Sequence, residues 1–405
     1  MVLYSRMIRS PSELSWRRVV TPGPCLEPTM RCYIRFLSLL IPNIMTLVGQ
    51  WVVAKDVTTL EINAPAPELE LPSVDGKTYR LDDFADARVL VVIFTCNHCP
   101  TAQAYEQRII QLHADYCSKG VALVAISPND PLAVRLDELG YSDIGDSFED
   151  MKRRAQRRGF RFPYLYDGDT QRVSTAFGVL ATPHVFIFDE QRRLRYNGRI
   201  DESDIKPPKS HDARNAIDDL LAGRPVAVPK TRVFGCSTKW ADKRDMAKRA
   251  IEKWNVEPVE LAPIDADGLR KLAANETENF RLINLWSTTC APCISELPEF
   301  VTVNRMYRGR HFEMYTLTTD PPDQQETALK VLRENHVSCT NYIFNSDDRD
   351  ELAEALDADW EGPVPYTLLI APGGEIVRRW KEEIDPAELK SEISAQLGKT
   401  YASRK

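Results

Sequence analysis

Cys96 and Cys99 stand three apart in the stretch FTCNHCPT (94–101), and Cys290 and Cys293 repeat that spacing in STTCAPCIS (287–295). Two thiols so placed can close a reversible disulfide, one sulfur attacking a partner's disulfide and the other releasing the mixed disulfide. The same spacing serves other chemistry. A structural zinc site needs four ligands, and these pairs lie nearly two hundred residues apart, each after its own apolar run. A c-type haem attachment needs histidine directly after the second cysteine, where Pro100 and Ile294 stand. Dithiol redox chemistry remains. It is favoured if the pair opens a helix, because N-terminal amides and the helix dipole stabilise a thiolate. On that reading Cys96 and Cys290 attack, and Cys99 and Cys293 resolve.

The elements needed to hold such a pair can be read on either side of it. ARVLVVIF precedes Cys96 and FRLINLW precedes Cys290, runs of the length and composition of strands buried on both faces. Helical patterns follow each pair. Ala104, Ile109, Ile110, Leu112 and Tyr116 share one face of the first, and Leu297, Phe300, Val301 and Met306 one face of the second. A second apolar strand comes next in each half (VALVAIS; FEMYTLT), then helix, short strand and helix. Each half then places a proline before another apolar strand, ATPHVFIFD with Pro183 and PVPYTLLIAP with Pro365, followed by a hairpin partner and a last helix. The same order occurs twice, so the chain is expected to be an α/β protein of two tandem domains. The expected divisions are a leader at 1–54, a first domain at 56–229, a linker and helix at 230–255 and a second domain at 256–405.

A CxxC between a buried strand and a helix, with a downstream X-Pro opening a further strand, resembles the thioredoxin superfamily. INLWSTTCAPCISELPEF is similar to the exported TlpA and ResA type. CNHCP, SPNDP, RRGFRFPYLYDGD and ATPHVFIFD resemble the redoxin group of thioredoxin-like proteins. The resemblance implies two thioredoxin-like folds, each a central mixed sheet flanked by helices, and a thiol–disulfide oxidoreductase without a cofactor. It implies cis peptide bonds at Pro183 and Pro365, with Thr182 and Val364 free to pair with a substrate chain. By the same resemblance His98 stabilises the Cys96 thiolate and His184 lies near that site. A charged His98 would make the first disulfide the stronger oxidant, whereas Pro292 brings no charge, so electrons would pass from Cys290–Cys293 to Cys96–Cys99. Asn284 stands where thioredoxins carry a buried aspartate, with Val92 at the comparable position of the first half. Glu296 is a candidate proton helper or an inert residue on the helix surface.

Two alternatives stay open. A thiol-dependent peroxide reductase would want threonine three residues before its reactive cysteine, and Ile93 and Ser287 stand three before Cys96 and Cys290. A copper-binding site of SCO type would use the cysteines and one or two histidines of the first half, although that family spaces its cysteines differently. Cys236 is a candidate third thiol for the first domain, and Cys117 and Cys339 are expected as buried small apolar residues.

The 405 residues carry a net charge of −7 and no long basic run, which excludes nucleic acid as the main partner. Expected partners are protein thiols and disulfides, with a membrane electron donor as a candidate. The first 54 residues contain six arginines and only Glu13 and Glu27, then an apolar run from Phe36 to Val48, then small residues at Val52 and Ala54. This is the layout of a secretory signal, so the protein is expected to be exported and to begin near Lys55, with an uncleaved anchor as the alternative. An oxidising compartment lets disulfides persist.

Overall fold

In the computed structural model, which describes residues 57–398, each apolar run beside a cysteine pair is a strand inside a mixed sheet. The first half runs β1 (Glu70–Pro72), β2 (Thr78–Arg80), β3 (Val89–Phe94), α1 (Pro100–Tyr116), β4 (Val121–Ser127), α2 (Phe148–Arg158), β5 (Tyr164–Tyr166), α3 (Arg172–Phe177), β6 (Ala181–Thr182), β7 (His184–Phe188), β8 (Leu194–Gly198) and α4 (Asp212–Leu221). Its main sheet has the order β5-β4-β3-β7-β8, with β3 parallel to β4 and antiparallel to β7. After β9 (Cys236–Ser237) and α5 (Arg244–Asn255) come β10 (Ala262–Ile264), α6 (Ala266–Ala274), β11 (Phe280–Trp286), α7 (Ala291–Tyr307), β12 (Phe312–Thr318), α8 (Gln325–Glu334), β13 (Thr340–Phe344), α9 (Arg349–Leu356), β14 (Tyr366–Ile370), β15 (Ile376–Trp380) and α10 (Pro386–Leu397). The second sheet has the order β10-β13-β12-β11-β14-β15.

β3 is apolar along its whole length because both of its faces are covered. Val91 and Ile93 pack with Tyr105, Ile109 and Leu112 of α1, while Leu90, Val92 and Phe94 pack with Val173 and Phe177 of α3 on the other side. In the second sheet Leu282 packs with Phe300 and Met306 of α7, and Ile283 and Leu285 pack with Leu269 and Leu352. Glu106 of α1 is buried with the apolar residues because Arg154 of α2 donates to both its oxygens, at 2.6 and 2.8 Å. This arrangement satisfies a charge that would otherwise be costly to bury.

The stretch expected as a linker is tied down instead. Lys230 bridges to Asn197, β9 pairs with β6, and the ring of Trp254 at the end of α5 lies under Arg305 and Arg308 of α7, at 5.8 and 5.4 Å. The halves also meet directly. Leu136 and Leu139 pack against the α7 face that carries Phe300 and Met306. The Tyr307 hydroxyl donates to the Ser142 carbonyl at 2.9 Å, and Arg310 to that of Gly140 at 2.9 Å. Cys117 is exposed and Cys339 half-buried, because Cys117 falls in the turn after α1, clear of the packed face. The expected leader lies outside the described residues. No described helix is long and apolar enough to cross a membrane.

Candidate active site

β11 delivers the chain to Cys290, which caps the N-terminus of α7, and the Cys293 amide donates to Cys290 Sγ at 3.2 Å. The two sulfurs are joined in a disulfide. Cys290 Sγ lies 3.6 Å from the carbonyl oxygen of Val364, and the Val364–Pro365 peptide bond is cis. Thr289, Ala291 and Pro292 are exposed, Cys290 is half-buried and Cys293 buried. One sulfur therefore meets solvent and its partner lies behind it. Pro292 stands at the second position of the helix, where it has no intrahelical amide bond to forfeit.

The first pair is placed differently. α1 begins at Pro100, so the helix cap is Cys99 and not Cys96. The Ala102 amide donates to Cys99 Sγ at 3.5 Å, and Cys99 Sγ lies 3.5 Å from the carbonyl oxygen of Thr182, before the cis Thr182–Pro183 bond. The sheet registers give the same answer. His184, just after Pro183, pairs with Phe94, and Tyr366, just after Pro365, pairs with Leu285. Counted from those partners, Cys99 falls on the position of Cys290, Cys96 on that of Ser287, and Ala102 on that of Cys293. The motifs share a spacing but are offset by three residues along the fold. The same register sets Ile93, rather than Val92, opposite Asn284.

Cys96 and Cys99 are both free and buried, and Cys96 Sγ lies 3.1 Å from the Thr182 hydroxyl. The site is built on a buried carboxylate. Asp146 Oδ1 accepts from the amides of Asn97 at 2.8 Å and His98 at 3.2 Å, and Oδ2 accepts from His98 Nδ1 at 2.6 Å and Asn129 Nδ2 at 2.7 Å. Burial alone would raise Asp146, but the His98 charge and these donors hold it below the ordinary carboxylate range. Burial alone would lower His98, and the Asp146 charge and hydrogen bond instead lift it above the usual histidine value.

The two thiols are driven apart. Burial, a hydrogen bond with Cys99 and the Asp146 charge push Cys96 far up. Burial also opposes ionisation of Cys99, but hydrogen bonds from Cys236 and Cys96, the Ala102 amide and the His98 charge outweigh it and hold Cys99 well below the usual thiol range. The expectation that His98 would serve Cys96 is therefore corrected, since its charge favours Cys99 while Asp146 disfavours a Cys96 thiolate.

His184 follows the cis-proline of the first site, but its ring is held by the fold. The ring lies tilted against that of Phe186 with centroids 4.3 Å apart, its Nε2 lies 2.7 Å from Asn197 Oδ1, and the Leu180 amide donates to Nδ1. Burial drops its pKa to about 4, so it is neutral and occupied by the fold. Glu296 is buried rather than on the helix surface. Its Oε1 accepts from the Ile384 amide at 2.5 Å, tying α7 to the chain ahead of α10.

Ligand atoms of Cys96, His98 and Asp146 lie within 4.8 Å of one another. A metal there would have to displace donors that already fill both oxygens of Asp146. Sequence reasoning missed Asp146, which lies in a loop without pattern. It also missed the offset, although Pro100 signals it: proline is favoured at the first helical position, which makes the residue before it the cap.

The model of the AhpC/TSA family matches residues 62–197 and 259–379, most of both halves. The thiol–disulfide oxidoreductase ResA of Geobacillus thermodenitrificans (strain NG80-2) is 22% identical over 188 residues, 45% of this chain and 95% of that protein. A hypothetical protein from Sinorhizobium meliloti 1021 is 30% identical over 45% of this chain and 97% of its own, with a TM-score of 0.41. An uncharacterized conserved protein from Geobacillus kaustophilus is 36% identical over 44% and 92%, with a TM-score of 0.40. Two mixed sheets, each with a helix-capping cysteine beside a cis-proline, accompany a family match in both halves, and the chain belongs to the AhpC/TSA family within the thioredoxin superfamily.

Proposed function

We propose that this thiol–disulfide oxidoreductase exchanges disulfides with protein substrates at two centres, with Cys99 and Cys290 as the attacking sulfurs. One observation carries the reading. In both halves the cysteine that caps the helix lies against the carbonyl preceding the cis-proline, at 3.5 Å in the first and 3.6 Å in the second. A sulfur so held has helix amides to stabilise its thiolate and, in the second half, a backbone segment beside it to which a substrate chain can pair. The partner sulfur is Cys293 in the second half, one turn into the helix. In the first half it is Cys96, on the strand side, so the order of roles expected from the sequence is reversed there.

In exchange, the attacking thiolate bonds to one sulfur of a client disulfide and releases the other as a thiolate. The partner thiol then loses its proton, bonds to the attacking sulfur and frees the second client thiol. The client gains two electrons and the enzyme is left with a disulfide. The arginine-rich leader supports export into an oxidising compartment, where an electron donor at the membrane is a suitable source of reducing equivalents.

Trapping tests the assignment. The Cys293→Ser chain should accumulate a mixed disulfide at Cys290, and insulin reduction should fall by orders of magnitude when Cys99 and Cys290 are both serine. Full activity in that double variant would refute the reading. Peroxide consumption that exceeds insulin reduction would favour a peroxide reductase, for which the residue three before Cys99 is Cys96 rather than threonine. N-terminal sequencing of the natural protein, with a start near Lys55, tests export; an intact cytoplasmic start overturns it.

A further inference from the structure

The backbone beside the second cis-proline is open, whereas that beside the first is taken. Among the described residues no strand pairs with Val364. At the first site β9 pairs antiparallel with β6, setting Cys236 opposite Thr182 and Ser237 opposite Ala181. This is the place at which a substrate strand would add. Thr182 is also the residue whose carbonyl faces Cys99 Sγ. Cys236 packs against the Cys96, Cys99 and Ala102 cluster.

The approach is built in. Gly235 has φ +145°, and a Cβ there would stand 2.1 Å from the Thr182 carbonyl oxygen, so only glycine lets the segment lie this close. Both flanks are pinned. The Asn197 amide donates to the Pro229 carbonyl at 3.0 Å, and the Thr231 amide donates to that of Asn197 at 3.1 Å. Past the strand, the Lys239 amide donates to Asn129 Oδ1 at 2.9 Å, and the Lys239 carbonyl accepts from the Asp130 amide and from Gln171 Nε2. Asn129 is also a donor to Asp146, so the clamp on this segment and the hydrogen bonds beneath His98 share one residue. Cys96 and Cys99 are buried, yet Cys236 is half-buried between exposed Gly235 and Ser237.

We propose that Cys236 is a third catalytic thiol of the first site, carried on an in-chain strand that holds the place of a substrate, and that it exchanges with the sulfur of Cys99. The inference rests on Cys99 being the attacking sulfur. Reduction of a client protein disulfide leaves Cys96 and Cys99 joined. Cys236 gives up its proton and attacks Cys99 Sγ, so that the Cys236–Cys99 bond forms and the Cys96–Cys99 bond breaks. Cys96 leaves with the electron pair and takes up a proton. No electrons are gained or lost in this step; the disulfide now includes Cys236, the most exposed of the three sulfurs. An external protein dithiol attacks Cys236, is itself oxidised to a disulfide, and returns the site to three thiols.

The test uses the full chain, a protein disulfide such as insulin, acid quenching, alkylation and peptide mass mapping. In Cys96→Ser the client adduct on Cys99 should be resolved by Cys236, giving a Cys99–Cys236 linked peptide. Gly235→Val keeps every thiol but pushes the strand off Thr182. A displacement of about an ångström costs on the order of 100-fold in rate, so in this variant the Cys96–Cys99 disulfide should form while the Cys99–Cys236 linkage is lost by about that factor. Retained turnover at Cys290–Cys293 reports that the variant chains are folded. A lasting Cys99–client adduct with Cys236 alkylated in Cys96→Ser overturns the inference alone. If Cys99 forms neither adduct nor linkage, the attacking role of Cys99 fails and the inference falls with it.

Discussion

His98 and Asp146 show how one buried pair can treat two neighbouring thiols oppositely. Replacing His98 with Asn removes the positive charge that favours the Cys99 thiolate. A nearby opposite charge moves a pKa by about 1–3 units, so the Cys99 pKa should rise by an amount in that range, read from the ultraviolet absorbance of the thiolate. Each unit is about 1.4 kcal/mol, or roughly 30 mV in a two-electron couple, and the first-site potential should fall accordingly. An unchanged titration would leave His98 a turn residue. The pair also makes stability depend on pH. Asp146 lies below its ordinary value when folded, so its contribution is present above about pH 3.9 and is lost as pH falls through the folded pKa. His98 lies above its ordinary value, so its contribution is complete below about pH 6.5 and is lost as pH rises through the folded pKa. The stability difference between native and His98→Asn proteins should therefore be greatest between about pH 4 and 6.5 and shrink on either side. Denaturant unfolding across that range measures it. The charge at His98 was legible in the chain, but its partner and the thiol it serves were not, because Asp146 reaches the site across nearly fifty residues from a loop with no periodicity.

At the level of elements the sequence was more informative. An unbroken apolar run announced β3 and a largely apolar one β11, interrupted by Arg281 and Asn284, and the prolines at 183 and 365 marked where the antiparallel strands begin. The face assigned to α1 was only partly right. Ala104 and Ile110 are half-buried, while Glu106, which an apolar pattern must leave out, lies inside because Arg154 meets it from α2. Removing one partner of a buried pair costs about 3–5 kcal/mol, so Glu106→Ala should weaken the first half by about that much in urea unfolding. Glu149→Ala, which breaks the exposed pair with Lys152, should cost at most about 1 kcal/mol. Similar losses from the two would show that α2 is not anchored through Glu106. β9 escaped notice for a simpler reason: two residues are too few to show an alternation, and its place is set by Gly235 and by clamps distant in sequence.

Across the whole molecule the halves are in close contact where Gly140 meets α7. A Cβ at Gly140 would stand 2.5 Å from the Met306 carbonyl oxygen, and no flexible side-chain end is there to yield. Gly140→Leu should part the halves, and calorimetry should then resolve two unfolding transitions where the native chain gives one. A single unchanged transition would mean that the contact contributes nothing to cooperativity. The repeat itself was plain in the sequence, but its phase was not, because a CxxC spacing does not say which of its cysteines caps the helix. With the phase known, the sulfur at the head of the helix is seen to have two berths beside it, one three residues earlier and one three residues later. The first half fills the earlier berth with Cys96 and leaves Ala102 in the later one; the second half fills the later with Cys293 and leaves Ser287 in the earlier. The berths are thus exchangeable parts. A chain carrying Cys96→Ser with Ala102→Cys, and another carrying Ser287→Cys with Cys293→Ala, should each still close a disulfide, and the reactivity of each should follow the berth in use rather than the half of the molecule that holds it.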